Sequence, residues 1–257
     1  MAFVKITFIG HASFRFESER GSVTYFDAWL DNNPTAKLKL SQVKKADIVI
    51  ATHGHGDHIG DSYEICKKTK AKFISNYELC AVGEEVHRLK IGSHSLPMNP
   101  GGTLKVKDAL ITMVQGHHSQ SLSTHVTGAD LPSGLLFHPD SAVNGFCIAY
   151  DNGITIYDTS DTCLFSDMQL IGQMYGPQVT IMPVGGLYTM GIREAARAAS
   201  LIRPDVVIPC HYGAIVRQPA DIGELQKAVK FLSPNTDVVE MKPGQTLTYT
   251  SSRYRVR

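Results

Sequence analysis

The hexad His53-Gly54-His55-Gly56-Asp57-His58 constrains this chain more than any other stretch of it. Three imidazoles and a carboxylate fall within six residues, directly after Asp47 to Ala51 (DIVIA), a short apolar run that reads as a buried strand. A loop leaving a strand end can aim several side chains at one point, and the intervening glycines let the backbone turn tightly between them. Imidazole together with carboxylate suits Zn²⁺, Mn²⁺ or Fe²⁺ better than Ca²⁺ or Mg²⁺. The bland alternatives are a solvated polar loop or the remnant of a purification tag. Tags sit at termini, and this motif is internal.

Around the hexad the chain alternates between strand-like and helical patterns. Val4 to Ile9, Ser13 to Phe16 and Val23 to Phe26 are rich in Val, Ile, Phe and Tyr and are broken by Gly or charge, as strands would be. Ser62 to Lys70 is predicted helical with a basic C-terminal end, Phe73 to Ser75 a strand, and Tyr77 to Val82 a short helix. Further strands are expected over Ala109 to Gln115, Gly145 to Tyr150, Ile154 to Tyr157, Val179 to Pro183 and Val206 to Pro209, with a strand-like tail from Val238 to Tyr249. Asp151-Asn152-Gly153 reads as a hairpin turn. Met168 to Met174, the alanine-rich Arg193 to Ile202, and Asp221 to Leu232 read as helices. Two sheets covered by helices on their outer faces fit this order, an α/β (α+β) architecture. Ser119 to Asn144 stands apart, rich in Ser, Gly, Pro and Asp; a loop of that length beginning beside His117-His118 is expected to border the site.

The 257 residues can bury one substantial core, and neither a linker nor a low-complexity stretch divides them, so residues 1–257 are read as one domain. A net charge of +1 gives no long-range field toward nucleic acid or an anionic membrane. Five cysteines without a CxxC pair argue against a disulfide framework. The N-terminal apolar run is too short for a signal peptide, and no stretch approaches a membrane span. A cytoplasmic protein is expected, with a small-molecule substrate, no nucleic-acid or membrane partner, and homo-oligomerisation only as a base rate.

The chain resembles the metallo-β-lactamase superfamily, whose signature is HxHxDH. The resemblance extends to Ile9-Gly10-His11-Ala12-Ser13-Phe14, Tyr157-Asp158-Thr159-Ser160-Asp161-Thr162, Met182-Pro183-Val184-Gly185-Gly186, Tyr188-Thr189-Met190-Gly191 and Pro209-Cys210-His211-Tyr212-Gly213. Together these blocks are similar to a branch of small metal-dependent hydrolases akin to the ascorbate-6-phosphate lactonase group. The resemblance implies a four-layer αββα sandwich and two divalent ions, Zn²⁺ first with Mn²⁺ or Fe²⁺ as alternatives. His53, His55 and the histidine of the Gly116-His117-His118-Ser119 block would hold one ion. Asp57, His58 and His211 would hold the other, and Asp161 would bridge them. His118, directly before Ser119, is the preferred ligand of its block and His117 the alternative. Ser160 stands where the commonest family pattern has glycine.

A binuclear hydrolase of this kind would direct an activated hydroxide at a small ester, lactone or phosphoester. Asp57 would also shuttle a proton, and His11 or Tyr188 would stabilise developing oxyanion charge. Asp158 is read as a turn carboxylate, His87 and His94 as surface residues, and His125 and His138 as site residues only if the long loop folds over. A phosphodiesterase acting on a small nucleotide and a catalytically inactive metal-binding scaffold are the alternatives. A di-iron flavoprotein would show HxExDH and a further flavin domain.

Overall fold

A computed structural model of the chain describes residues 2–119, 143–213, 217–251 and 253–256. Ile48, Val49 and Ile50 are fully buried and form β4 (Ile48–Ile50), with parallel neighbours on both sides. An uninterrupted apolar run is what a strand covered on both faces requires. Its neighbours are β3 (Val23–Phe26) and β5 (Lys72–Asn76). With β1 (Phe3–Gly10), β2 (Ser13–Ser18), β6 (Ser95–Met98), β14 (Thr246–Thr250) and β15 (Arg253–Val256) they make a mixed sheet in the order β15-β14-β1-β2-β3-β4-β5-β6. The second sheet comprises β7 (Thr103–Val106), β8 (Ala109–Gln115), β9 (Asn144–Tyr150), β10 (Thr155–Asp158), β11 (Val179–Pro183), β12 (Val206–Cys210) and β13 (Asp237–Val238), in sequence order from one edge to the other.

The two sheets face each other across a core that includes Phe14, Phe16, Phe26, Phe146, Ile148 and Ile208. On the outer face of the first sheet, α2 (Ser62–Thr69) and α3 (Tyr77–Glu85) bury Tyr63, Ile65, Leu79 and Val82 against Val49 and Phe73. On the outer face of the second, α4 (Met168–Tyr175), α5 (Ile192–Ile202) and α6 (Ile222–Leu232) cover Tyr157, Met182 and Val207. In α5 the buried positions are Ala195, Ala196, Ala198, Ala199 and Ile202, a helical stripe of mostly small residues that combines high helix propensity with close packing. The result is the αββα sandwich that the sequence implied. No helix of the described residues is long and apolar enough to cross a membrane.

Some elements depart from expectation. Val238 to Tyr249 is not one strand: β13 and β14 lie in different sheets, joined by a connection that includes Gly244 at φ 92°. β6 and β7 had no clear sequence signal, because Pro97 interrupts one and both sit at sheet edges. Residues 120–142, with His125 and His138, lie outside the described residues.

What positions the site is the end of the sandwich where β1, β3, β4, β8, β10 and β12 finish. His11, Asp27, His53, His118, Asp161 and His211 all lie within a few residues past those carboxyl ends. The Asp57-His58 half of the hexad sits in α1 (Gly56–Ile59), one short turn closed by Gly60, whose amide donates to the Gly56 carbonyl at 3.2 Å. Asp61 then anchors the turn: its amide donates to the Ala28 carbonyl at 2.7 Å, and its carboxylate accepts from the Leu30 and Asp31 amides. Gly60 combines φ 41° with ψ −122°, and a Cβ there would stand 2.5 Å from the Ala28 carbonyl oxygen. Strain and overlap together cost about 2–4 kcal/mol, so Gly60→Ala is expected to lower the melting temperature by roughly 4–16 °C. Gly92→Ala, where a Cβ meets nothing within 4 Å, is the comparison; equal losses in calorimetry would refute the close-approach argument.

Candidate metal centre

Construction of the site begins with a residue that the sequence did not single out. Asp27 follows β3 and is buried. Because Phe26 pairs with Ile50, the next residues of both strands meet, and Asp27 Oδ1 accepts from the Thr52 amide at 2.8 Å. The Thr52 hydroxyl donates to Asp27 Oδ2 at 2.8 Å, which leaves its oxygen to accept from His53 Nδ1 at 2.9 Å. His58 Nδ1 donates to the same Asp27 oxygen at 2.7 Å. One carboxylate therefore fixes the tautomer of two imidazoles and turns both Nε2 atoms toward a common space, an arrangement that orients metal-ligating histidines. A lone Phe-Asp after a strand carries no signal for this role; only the β3–β4 register reveals it.

The structure gathers His53, His55, Asp57, His58, His118, Asp161 and His211 at that space, and His11 with them. Three overlapping sets have their donor atoms within 4.8 Å of one another: His53, His55 and His118; His11, Asp57, His58 and His211; and His53, His58 and Asp161. Asp161 lies between the first two, with Oδ2 at 3.0 Å from His211 Nε2, 3.2 Å from His58 Nε2 and 3.7 Å from His118 Nε2. His118 packs its ring 5.2 Å from that of His55 and 5.6 Å from that of His53. His117 is exposed instead, its ring edge-on to Phe165 at 4.9 Å and its amide donating to Thr162 Oγ1. Tyr188 is 60% exposed, and no contact ties it to the cluster among the described residues. Asp158 is buried and accepts from the Ser160 amide, the turn role expected of it.

The electrostatics divide the cluster in two. Burial, reinforced by the charge on His58, lowers the pKa of His53 far below the usual imidazole range, and burial lowers those of His55 and His118 as well. These three are neutral imidazoles, ready to donate a lone pair. Burial also opposes charge on His58 and His211, but the carboxylates outweigh it. Asp161, Asp27 and Asp57 raise His58 well above its ordinary value, and Asp161 leads in raising His211 to about 9. In return the two imidazolium rings hold Asp161 well below the carboxylate range despite its burial. Protons thus balance buried carboxylates where a cation would serve better, and His58 Nε2 is buried without a hydrogen-bond partner. The donor set and this orphaned atom fit divalent transition-metal ions.

Four of the nine non-glycine residues with positive φ among the described residues lie at the same end. His11, Asp27, Ser160 and His211 have φ of 61°, 45°, 59° and 53°, a region non-glycine residues rarely occupy. Ser160 adopts the conformation that glycine takes freely, and its buried hydroxyl has no partner. Ser160→Gly is therefore expected to leave metal affinity unchanged and to hold or raise the melting temperature. Asp27→Asn places an amide N–H against a donor and should weaken metal binding about 10–100-fold in competition titrations; wild-type affinity would remove Asp27 from the account.

The sequence pattern of the beta-lactamase superfamily domain matches residues 5–211. A UPF0173 metal-dependent hydrolase of Archaeoglobus fulgidus is 37% identical over 250 residues, covering 96% of this chain and 99% of the relative. The UPF0173 metal-dependent hydrolase Acid345_3437 of Koribacter versatilis is 37% identical over 243 residues, 95% of this chain and 97% of that one. Among solved structures, Igni18, a metallo hydrolase from Ignicoccus hospitalis, superposes with a TM-score of 0.80 at 33% identity, covering 96% of this chain and 99% of the other. With its fold, its hexad and these full-length relatives, the chain belongs to the beta-lactamase superfamily and, within it, to the UPF0173 metal-dependent hydrolase family.

Proposed function

We propose that the protein is a two-metal hydrolase of small esters, lactones or phosphoesters, with Zn²⁺ the first choice of ion and Mn²⁺ or Fe²⁺ the alternatives. His53, His55 and His118 would hold one ion, Asp57, His58 and His211 the other, and Asp161 would serve both. The observation that carries this reading is the position of Asp161, whose Oδ2 lies within 3.7 Å of donor nitrogens from both sets. When bound, such ions supply Lewis acidity toward the electrophile's oxygen and lower the pKa of water to near neutrality.

The chain's own residues define where substrate meets that centre. His53, His58, His211 and Asp161 are buried, whereas His55, Asp57 and His118 are partly exposed. The open face therefore runs along His55, Asp57 and His118. Asp57 keeps 30% of its side chain accessible, and His58, His11 and His211 hold its carboxyl far below the usual range against the effect of burial. A permanently ionised carboxylate at the mouth of the site is suited to orient a water by accepting its hydrogen bond. The near-neutral net charge supports a small substrate over a polyanion.

The test is reconstitution of metal-free protein with Zn²⁺, Mn²⁺ or Fe²⁺, followed by a panel of lactones, aryl esters and bis-p-nitrophenyl phosphate. Two ions per chain and metal-dependent turnover are expected. Asp161→Ala should lose metal and activity together, while Asp57→Asn should reduce turnover about 10²–10⁴-fold. Hydrolysis that survives complete metal removal would refute the proposal. Metal must also displace the protons held by His58 and His211, whose raised pKa values keep them protonated at neutral pH. Binding should therefore release protons at pH 7 and tighten as pH rises toward about 9. Calorimetry in buffers of different ionisation enthalpy reads the proton count directly, and a count of zero would contradict this charge balance.

A further inference from the structure

We infer that His11 is itself a metal ligand, a further protein donor to the ion held by Asp57, His58 and His211; the inference rests on the two-metal reading above. His11 follows the end of β1, in the first sheet, and its carbonyl accepts from the amide of His211, at the end of β12 in the second, at 3.0 Å. The two rings lie 4.2 Å apart, so the junction between the sheets sets both imidazoles side by side. The His11 side chain is fully buried, and its Nε2 lies 2.9 Å from Asp57 Oδ2.

That Asp57 oxygen also stands 3.5 Å from His211 Nε2 and 3.8 Å from His58 Nε2. Three imidazole nitrogens thus converge on one carboxylate oxygen. In the metal-free protein N–H protons on these rings would crowd a single acceptor oxygen, and a shared cation would replace them with lone pairs directed at one point. Donors sharing one ion show this spacing: bonds of about 2.0–2.1 Å at 90–109° leave neighbouring ligand atoms about 2.8–3.4 Å apart. The His11–Asp57 separation falls in that range. So do two pairs already assigned to shared ions, 3.0 Å for His53 Nε2 to His55 Nδ1 and 3.0 Å for His211 Nε2 to Asp161 Oδ2, while His211 and His58 would each close a few tenths of an ångström on Asp57 when the ion binds.

The consequence is an unequal pair of sites. His11, Asp57, His58, His211 and Asp161 surround one ion, and His53, His55, His118 and Asp161 the other. The second set has fewer protein donors, so the position left for substrate oxygen would lie there, beside the partly exposed His55 and His118.

The rival role for His11 is a hydrogen-bond donor that merely positions Asp57. The two roles differ in one proton: a donor carries it on Nε2, and a ligand must carry it on Nδ1. Long-range ¹H–¹⁵N spectra of the imidazoles in the wild-type protein, loaded with two Zn²⁺ per chain, are expected to show His11 protonated at Nδ1 and bare at Nε2. An Nε2–H signal retained with both ions bound would overturn the inference. His11→Gln keeps an N–H able to reach Asp57, whereas His11→Ala has none. Both variants are expected to lose about 100-fold or more in affinity for one Zn²⁺ and to keep the other near wild-type strength, exceeding the 10–100-fold typical of an orienting residue. Full affinity in His11→Gln would leave only the positioning role and refute ligation. If the wild-type protein takes up a single ion, the two-metal reading fails first and this inference falls with it. Two ions in the wild type and two unchanged in His11→Gln would reject the role of His11 alone.

Discussion

Asp27 is the point on which the rest of the site is hung. Its carboxylate is buried, so each of its oxygens needs partners, and the protein supplies the Thr52 amide, the Thr52 hydroxyl and His58 Nδ1. Those bonds join the ends of β3 and β4 and fix the path of the chain as it enters the hexad. They also orient His58 directly and His53 through the Thr52 hydroxyl, one imidazole from each proposed metal pocket. The spacing of the hexad alone does not create a site. The site exists because adjacent parallel strands present an acceptor beside it at the right height, and Gly60 and Asp61 hold the following turn against the segment after Asp27.

The same geometry explains what could and could not be seen in the sequence. DIVIA announced a buried strand because it lacks alternation, and the alanine-rich run of Arg193 to Ile202 announced the helix α5. The hexad was legible because its residue types are improbable together for any other purpose. Asp27 was not, since its meaning depends on a register between strands more than twenty residues apart. The choice between His117 and His118 rests on the path beyond β8, which sends one ring toward Phe165 and the other toward His53 and His55. Tyr188 drew attention through its motif, yet the backbone leaves it pointing to solvent with no tie to the cluster among the described residues. The single long strand expected in the tail failed because strand propensity does not record which sheet a residue joins.

Concentrating charge and strain in one place carries a thermodynamic cost. Four non-glycine residues at positive φ cost on the order of 1–3 kcal/mol each, and they persist only where the surroundings over-determine them. Here the surroundings are two broad sheets with a continuous aromatic and aliphatic core between them. The strained residues all sit just past strand ends, where the last rungs of each sheet dictate the direction of the chain. His11 and His211 are further bound to each other through the backbone, so the two sheets stabilise one another's strained termini. Metal ions would relieve the electrostatic part of the cost, because protons on buried imidazoles are poor substitutes for a divalent charge among carboxylates.

Chemical polarity within the site follows from where those carboxylates fall. Asp57 and Asp161 both approach His58 and His211, so that side gathers negative charge and binds protons in return. The His53, His55 and His118 side has Asp161 alone at its boundary and holds neutral imidazoles. An ion on the carboxylate-rich side would be more fully neutralised, which suits it to stabilise charge that develops near Asp57. An ion among neutral imidazoles would keep more of its positive charge for an incoming oxygen. His55 and His118 are partly exposed, so under the two-metal proposal the more electrophilic ion would lie where substrate can reach it. Fold and electrostatics would then favour one direction of approach, along the face between His55, Asp57 and His118.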